Sequence, residues 1–513
     1  MDGFVHLAYV VSKEIQLECP FSMVDIFPSA VFDRTALQNH EALIDVEDPS
    51  TNVVIAKIGN ASADQIDQVV KCARASFLNG AWAKMGAEER QVTLREIAHK
   101  IDENANQLAR LESRNTGIPE WQVKGRHIAR AAYNFRFFAD FIGQYSSRIY
   151  EQNANYLTFV RRDPIGVAAL IAPWNAPIAL GSMKIAAAIA FGNSCIIKPS
   201  EQAPLGVTRL VELIQEVESL PSGVVNLING DGRVVGDALV RHDGIDLVSF
   251  TGGTTTGKAI MRSAADGLKP VTMELGGKSA NIIFEDADLE RALDGALLGI
   301  FTNNGQQCLA GSRILVQESI AEAFIPAFIE RAKKINIGQP SEVGTQLGPL
   351  SSRLHMDRVL SYVEIARADG GEILMAGERP VGLETGNFVS PIVTRLPSNA
   401  ARVCQEEIFG PFAAFLTFNT EEEAFKIAND TKFGLVSYVW SQNVSRIMRA
   451  QDALRSGVVW VNTPMMRELS APFGGYKDSG IGAEGGEACL QFYTHPKTVT
   501  IPRQDIALNK LGA

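Results

Sequence analysis

From Val167 onward, short runs rich in β-branched residues alternate with stretches of helical period, and this alternation constrains the fold more than any other feature of the chain. The spacing predicts strands at Val167–Ala172, Ser194–Ile197, Val224–Ile228 and Leu247–Phe250. Between and after them it predicts helices over about 177–191, 204–218 and 232–241, and at Gly257–Ala265. Strands joined through helical crossovers build a parallel sheet, and ligands of such sheets bind beyond the carboxyl ends of the strands. A second series starts at Ala280–Phe284, continues through a helix at about 288–301, the strand Ile314–Val316 and a helix at about 319–335, and runs on to Val458–Val461, so a second α/β domain is expected. Upstream, Ser62 and Gln65 form a capping box ahead of Ile66, Val69, Val70, Ala73 and Phe77, which share one helical face, predicting a helix over about 62–78. Helices at about 87–113 and 120–143 follow, then an exposed strand at Tyr156–Arg161. Residues 1 to about 60 have no clear period before Val53-Val54-Ile55-Ala56, and the first twenty read as a loosely ordered extension without an assigned role.

At roughly 150 residues per domain, 513 residues suggest about three structural units. Lys and Arg number 48 against 58 Asp and Glu, a net charge of −10 with no compact basic run, so nucleic acid is not an expected partner. The apolar stretches Val167–Pro173 and Ile178–Phe191 are short or carry Lys184, and neither reaches the roughly 20 residues that span a bilayer. The opening MDGFVHLAYVVSKE lacks the basic start and small-residue cleavage site of a secretory leader, which points to a cytoplasmic protein. Cys19, Cys72, Cys195, Cys308, Cys404 and Cys489 are scattered with no C-x-x-C pair, so no metal site is expected and at least one thiol is free to do chemistry.

Five segments carry candidate chemistry. Cys308 closes Gly305-Gln306-Gln307-Cys308 after a helix, in polar surroundings that suit a nucleophilic thiol as well as a small core residue. Glu274 lies between apolar residues and Gly276-Gly277, where a carboxylate either caps backbone donors or is desolvated enough to act as a base. Ile171-Ala172-Pro173-Trp174-Asn175 joins a strand to a helix, and the Asn175 amide is an oxyanion donor or an N-cap. Lys198-Pro199-Ser200-Glu201 ends the next strand, its charges either holding ribose hydroxyls or facing water. Phe250-Thr251-Gly252-Gly253 opens a helix whose N-terminus suits a pyrophosphate, although the glycine spacing is not G-x-G-x-x-G.

In this order the segments resemble the aldehyde dehydrogenase superfamily, from about residue 45 to 502: PWN at 173–175, KPSE at 198–201, FTGG at 250–253, ELGGKS at 274–279, GQQC at 305–308, EEIFGPF at 406–412 and PFGGYKDSG at 472–480. The resemblance implies an α/β fold with a parallel-sheet NAD-binding domain (1–150 and 163–274), a second α/β catalytic domain (275–470) and small oligomerisation strands (151–162 and 485–505). It implies that Cys308 attacks the aldehyde carbon, that Asn175 and the Cys308 backbone N–H hold the oxyanion, and that Glu274 activates the hydrolytic water, with Lys184 and Glu484 relaying a proton. For NAD it implies Ile171, Ala172, Pro173, Trp174, Lys198, Ser200, Glu201, Gly230, Phe250, Thr251, Gly252, Gly253, Leu275, Glu407 and Phe409. Because such strands pair across subunits in this family, a homodimer or homotetramer is implied. Ala483 stands where many members have Arg, Gly253 where many have Ser, and Met183 where a Trp is common.

Within the family, HIARAAYNFRFFADF at 127–141 and VNTPMMREL at 461–469 are most similar to hydroxymuconic-semialdehyde-type dehydrogenases. That similarity implies that Arg130 and Arg467 hold a substrate carboxylate, with Phe473 lining the pocket; helix-surface exposure of Arg130 and an ion pair of Arg467 with Glu468 are the alternatives. The expected activity is NAD-dependent oxidation of an aldehyde to the acid through a cysteine thioester, on a muconic-type semialdehyde or on neutral aliphatic or aromatic aldehydes. A thiol esterase using Cys308 and Glu274 alone is the alternative from another class, and the cofactor loops argue against it. Glu274 argues against a CoA-acylating variant, and the joint presence of Cys308, Glu274 and Asn175 against a non-catalytic descendant.

Overall fold

The strand and helix alternation folds into two large sheets, seen in a computed structural model that describes residues 25–512. The extension expected over the first twenty residues, its leader reading and Cys19 lie outside the described residues. In the first sheet the strand order is Gly480–Ile481, Val271–Glu274, Leu247–Thr251, Val167–Ile171, Ser194–Lys198, Val225–Ile228, Ala30–Phe32, Thr35–Leu37. The five central strands are parallel and the outer ones antiparallel. Their near-continuous apolar sequences follow from burial on both faces. Ala168, Leu170, Cys195 and Ile197 pack under the helices Ala87–Glu103, Ala129–Ile142, Pro177–Ala190 and Leu205–Gln215, while Val167, Ala169, Ile196 and Val248 face Ala63–Asn79 and Thr254–Ala265. The two-residue side-chain period of a strand makes that division.

Register brings the carboxyl ends together, pairing Ile171 with both Lys198 and Phe250, and Thr251 with Glu274. The second sheet runs Glu372–Ala376, Ile392–Arg395, Phe412–Phe418, Arg313–Gln317, Ala280–Ile283, Val436–Trp440, Val458–Val461, parallel except at its first pair. A third sheet is antiparallel and small, Thr494–Pro502, Tyr156–Pro164 and Ile149–Tyr150, and a fourth joins Asp25–Phe27, Val53–Gly59 and Leu43–Asp48.

Several elements depart from expectation. The helix read over 87–113 is two, Ala87–Glu103 and Ala105–Thr116, because the Asn104 amide donates back to the Lys100 carbonyl at 2.8 Å and takes the chain out of helical geometry. The stretch read as 120–143 contains a π turn, Val123–Ile128, before Ala129–Ile142, and the helix over 232–241 opens as another, Gly232–Gly236, capped by Asp231. Residues 25–59 form five strands of three to seven residues, too short and too mixed in exposure to give a period. The span 485–505, expected as strand, holds the helix Gly486–Tyr493 before Thr494–Pro502. The strand at 156 is half-buried along most of its length.

Candidate active site

Glu274 ends its strand at the carboxyl edge of the first sheet, its backbone held by Gly480 across the sheet and by the Gly252 N–H. Its carboxylate is buried and neither oxygen has a partner, so of the two readings left by the sequence the desolvated one holds. Burial, and then the nearby Glu484 charge, push its proton affinity well above the usual carboxylate range, while Arg467 and Lys184 pull it back.

Cys308 reaches this edge from the second sheet's side through a turn of unusual backbone. Asn303, Asn304 and Gly305 are successive left-handed residues, a conformation that Asn and Gly tolerate. Each is held: the Asn303 amide donates to the carbonyls of Asn175 at 2.8 Å and Gln306 at 3.0 Å, and the Asn304 amide to those of Gly117 and Pro349, both at 2.9 Å. A Cβ on Gly305 would lie 2.3 Å from the Gly410 carbonyl carbon, so the cysteine loop and the 406–412 segment meet backbone to backbone. The thiol is half-buried, and its pKa is pushed up to about 12, first by burial and then by the charges of Glu407 and Glu274. A thiol this weakly acidic needs a neighbouring base before it can attack. Asn175, buried ahead of the helix Pro177–Ala190, donates one amide hydrogen to the Gln306 carbonyl at 2.9 Å, which leaves its other hydrogen beside the Cys308 loop.

A buried line of charge stands behind these groups. Lys184 Nζ donates to Glu484 Oε1 at 2.8 Å and to Ser249 Oγ at 2.9 Å. Glu484 Oε2 faces Arg467 at 3.6 Å, and Glu484 and Phe473 exchange backbone hydrogen bonds of 2.8 and 2.7 Å. Burial pushes the Glu484 carboxyl up, but Lys184 and Arg467 outweigh it and the net shift is downward. Arg467 lies 4.4 Å over the Phe473 ring and pairs with Glu484, not with Glu468. Arg130 is half-buried, so it is not a surface arginine, and burial together with the Arg467 charge lowers its pKa to about 10. Arg130 Nη2 and Arg467 Nε and Nη2 are all buried and donate no hydrogen bond, the Glu484 contact of Arg467 being an ion pair only.

The remaining residues lie at the same sheet edge or, for Glu407 and Phe409, on the segment ahead of the Phe412–Phe418 strand of the second sheet. Lys198 is buried and donates to Glu201 Oε2 at 3.3 Å, while Glu201 Oε1 faces the Gly232 N–H at 3.4 Å. Ser200 Oγ accepts from the Gln202 N–H at 3.3 Å. Gly253 caps the helix Thr254–Ala265 with open space on its Cα, whereas a Cβ on Gly252 would meet the Phe250 ring at 2.4 Å. Leu275 packs on Gly257, and Gly230 is buried against Asn60 and Val235. The carboxylate of Glu407 accepts from the Gly277 N–H at 3.0 Å, and burial pushes its pKa to about 7. Phe409 stands edge-on to Trp174, ring centres 5.2 Å apart, while the His355 ring nitrogen meets its carbonyl at 2.7 Å. An open helix N-terminus and a buried lysine tied to a half-exposed carboxylate on the first sheet's edge, with a buried carboxylate and aromatic rings brought by the 406–412 segment, fit the pyrophosphate, ribose and ring of a dinucleotide.

Sequence reasoning passed over Asn303 and Asn304, although the run Asn-Asn-Gly before a candidate cysteine was itself a sign of left-handed backbone. Asn134, Glu112 and His127 left no local sign: His127 Nδ1 meets Glu112 Oε1 at 2.6 Å, and Glu112 Oε2 accepts from the Ile178 N–H at 2.8 Å, fixing the first turn of the helix after Asn175. Among the described residues no helix is long and apolar enough to cross a membrane.

Comparison with known proteins finds similar chains along nearly the whole length. The 5-carboxymethyl-2-hydroxymuconate semialdehyde dehydrogenase of Escherichia coli is 42% identical over 443 residues, 85% of this chain and 93% of that protein. The crystal structure of HpcC from Thermus thermophilus superposes with a TM-score of 0.91 at 39% identity, covering 95% of both chains. That of betaine aldehyde dehydrogenase from Staphylococcus aureus, in complex with NAD+, does so with a TM-score of 0.91 at 37% identity, covering 94% of this chain and 97% of that one. Residues 36–499 match the model of the aldehyde dehydrogenase family, and with the cysteine, the desolvated glutamate and the dinucleotide-shaped strand edge in one site, the chain belongs to that family.

Proposed function

We propose that this chain oxidises an aldehyde to its carboxylic acid with NAD, using Cys308 as nucleophile. The observation that carries the reading is the pairing of the half-buried Cys308 with a buried Glu274 whose carboxylate is bound to nothing, so that it is free to take a proton. Glu274, with its raised proton affinity, is matched to deprotonating the thiol, and Sγ then bonds to the aldehyde carbon. The developing oxyanion is within the role of the Asn175 amide and the Cys308 N–H, donors fixed before reaction by the Asn303 and Gln306 contacts. NAD, when bound, supplies the acceptor for the hydride that leaves this carbon. Glu274 passes that proton away by the buried route that Glu484 and Lys184 offer, and is then free to take one from the water that attacks the resulting thioester, whose collapse breaks the C–S bond, releases the acid and returns the Cys308 thiolate. Lys198 and Glu201 would hold the adenosine ribose, the Gly253 helix start the pyrophosphate, and Glu407 with Phe409 the nicotinamide end.

The substrate class follows from charge. Three buried guanidinium nitrogens, on two arginines whose charges repel, make no hydrogen bond, and the nearby anion Glu484 pairs with Arg467 at 3.6 Å while its other oxygen is held by Lys184, so Arg130 is left in want of an anion. A distal carboxylate on the aldehyde supplies it, as the name of the Escherichia coli relative describes for that protein's substrate. The test is NADH formation with a semialdehyde bearing a distal carboxylate and a neutral aldehyde of equal length, in wild type and Cys308→Ala. Turnover should favour the carboxylate and vanish in the variant while NAD binding persists; NADH formation that survives loss of the thiol would sink the mechanism.

The two large sheets support a division into an NAD-binding domain (1–150 and 163–274) and a catalytic domain (275–470), with the third sheet joining subunits in a homodimer or homotetramer. The scattered cysteines support a cytoplasmic location.

A further inference from the structure

Arg130 sits in the first turn of the helix Ala129–Ile142, directly after the π turn, and its guanidinium is anchored there: Nε donates to Asn134 Oδ1 at 3.0 Å. Asn134 is completely buried, and its Nδ2 donates to the Ala179 carbonyl at 3.1 Å and to Ser182 Oγ at 3.0 Å, both on the helix Pro177–Ala190. A carbonyl only accepts, so the amide nitrogen must face that helix and the amide oxygen must face Arg130. Ser182 completes the arrangement by donating to the same Ala179 carbonyl at 2.9 Å.

The helix so gripped begins two residues after Asn175 and carries Lys184. The arginine read above as taking the substrate's carboxylate and the amide read as holding its aldehyde oxygen are therefore referenced to one rigid element. With Nε used by Asn134, Arg130 turns Nη2 inward, where it is buried and unpartnered. An unanchored arginine gives up side-chain freedom each time it grips a ligand, whereas an anchored one has already done so.

We propose that Asn134 is a specificity-determining positioning residue, which fixes the Arg130 guanidinium against the helix Pro177–Ala190 and so sets the preference for aldehydes with a distal carboxylate. The inference rests on the carboxylate reading above.

The test compares kcat and KM for a carboxylate-bearing semialdehyde and a neutral aldehyde of equal length in wild type, Asn134→Ala, Arg130→Ala and the double variant. Asn134→Ala should raise KM for the carboxylate substrate by about tenfold and leave its kcat and both constants of the neutral aldehyde unchanged. Added to Arg130→Ala, it should cost the carboxylate substrate nothing further, since the group it positions is gone. Asn134→Leu, close in shape and without either hydrogen bond, repeats the comparison if the alanine variant folds poorly; it leaves the Ala179 carbonyl its Ser182 donor, frees Arg130 Nε and should also raise KM for the charged substrate alone. Equal losses for both aldehydes, or Arg130→Ala removing a preference that both Asn134 variants retain, would overturn the inference and leave the carboxylate reading standing. A wild type without preference, unchanged by Arg130→Ala, would remove that reading and the inference with it.

Discussion

Lys184 and Glu484, 300 residues apart in sequence, form a buried ion pair of 2.8 Å immediately behind Glu274. The pair sets the charge that Glu274 experiences, because Glu484 raises its proton affinity and Lys184 lowers it. Glu274 acts as a base only when deprotonated, so the hydrolytic rate should rise with pH through its pKa, on a limb above the ordinary carboxylate range. Glu484→Gln removes the negative neighbour and should move that limb to lower pH. Lys184→Met removes the positive one and should move it to higher pH. The check is the pH profile of steady-state kcat; a limb that stays put in both variants would take Glu274 out of the rate-limiting proton transfer.

Cofactor choice should follow from Glu201. Its carboxylate is tied to Lys198 at the strand edge, and a 2′-phosphate on the adenosine ribose would bring a second negative charge to the same place. Its side chain is 34% exposed, so the repulsion is screened and a preference for NAD of about tenfold is expected, not an absolute one. Glu201→Gln should raise kcat/KM with NADP more than with NAD. Equal efficiencies of wild type with both cofactors would show that Glu201 does not face the ribose.

Much of this site was legible because its chemistry sits in contiguous segments at strand ends: Lys198, Thr251 and Glu274 each close a strand whose apolar run marks it, and alternation alone places those ends on one edge. What was not legible depends on contacts between distant segments. Asn134 looks like any polar residue in an amphipathic helix until Ala179 and Ser182, 45 and 48 residues on, give it partners. The fate of Arg467 depended on whether Glu468 beside it or Glu484 across the fold would take its charge, and local sequence offers no way to choose. Residues 25–59 failed for a different reason: Ala30–Phe32 and Thr35–Leu37 are edges of a sheet built elsewhere, and Asp25–Phe27, Leu43–Asp48 and Val53–Gly59 pair only with one another in strands of mixed exposure, so no local periodicity records them.

Gly276 tests the nicotinamide end. A Cβ there would lie 2.0 Å from Glu407 Oε2, so Gly276→Ala must displace that carboxylate while Gly277 continues to pack against the Cys308 carbonyl. The expected result is a KM for NAD raised about tenfold or more, with Cys308 alkylated by iodoacetamide at least as fast as in the wild type, because the displaced charge is one that raises the pKa of the thiol. Parallel loss of thiol reactivity would mean that Glu407 and Cys308 respond as one unit, and that Gly276 is a folding position.

The third sheet makes a prediction about assembly. Tyr156–Pro164 is its central strand, paired on both sides, yet none of its nine residues is buried, and Ile149, Tyr150 and Ile501 on its neighbours are all exposed. A central strand that is at best half-covered has no core of its own, and three strands stand alone only with a buried hydrophobic face. Lys497 and the prolines at 496 and 502 on the outer strand discourage open-ended edge pairing, which favours a closed, symmetric contact over a fibre-forming one. The chain should therefore run as a homodimer or a dimer of dimers by light scattering at micromolar concentration. Ile501→Lys places a charge on that surface and should lower the mass or raise its concentration dependence, without changing the register of the 494–502 strand against 156–164. A wild-type monomer at that concentration would assign this sheet some purpose other than subunit contact.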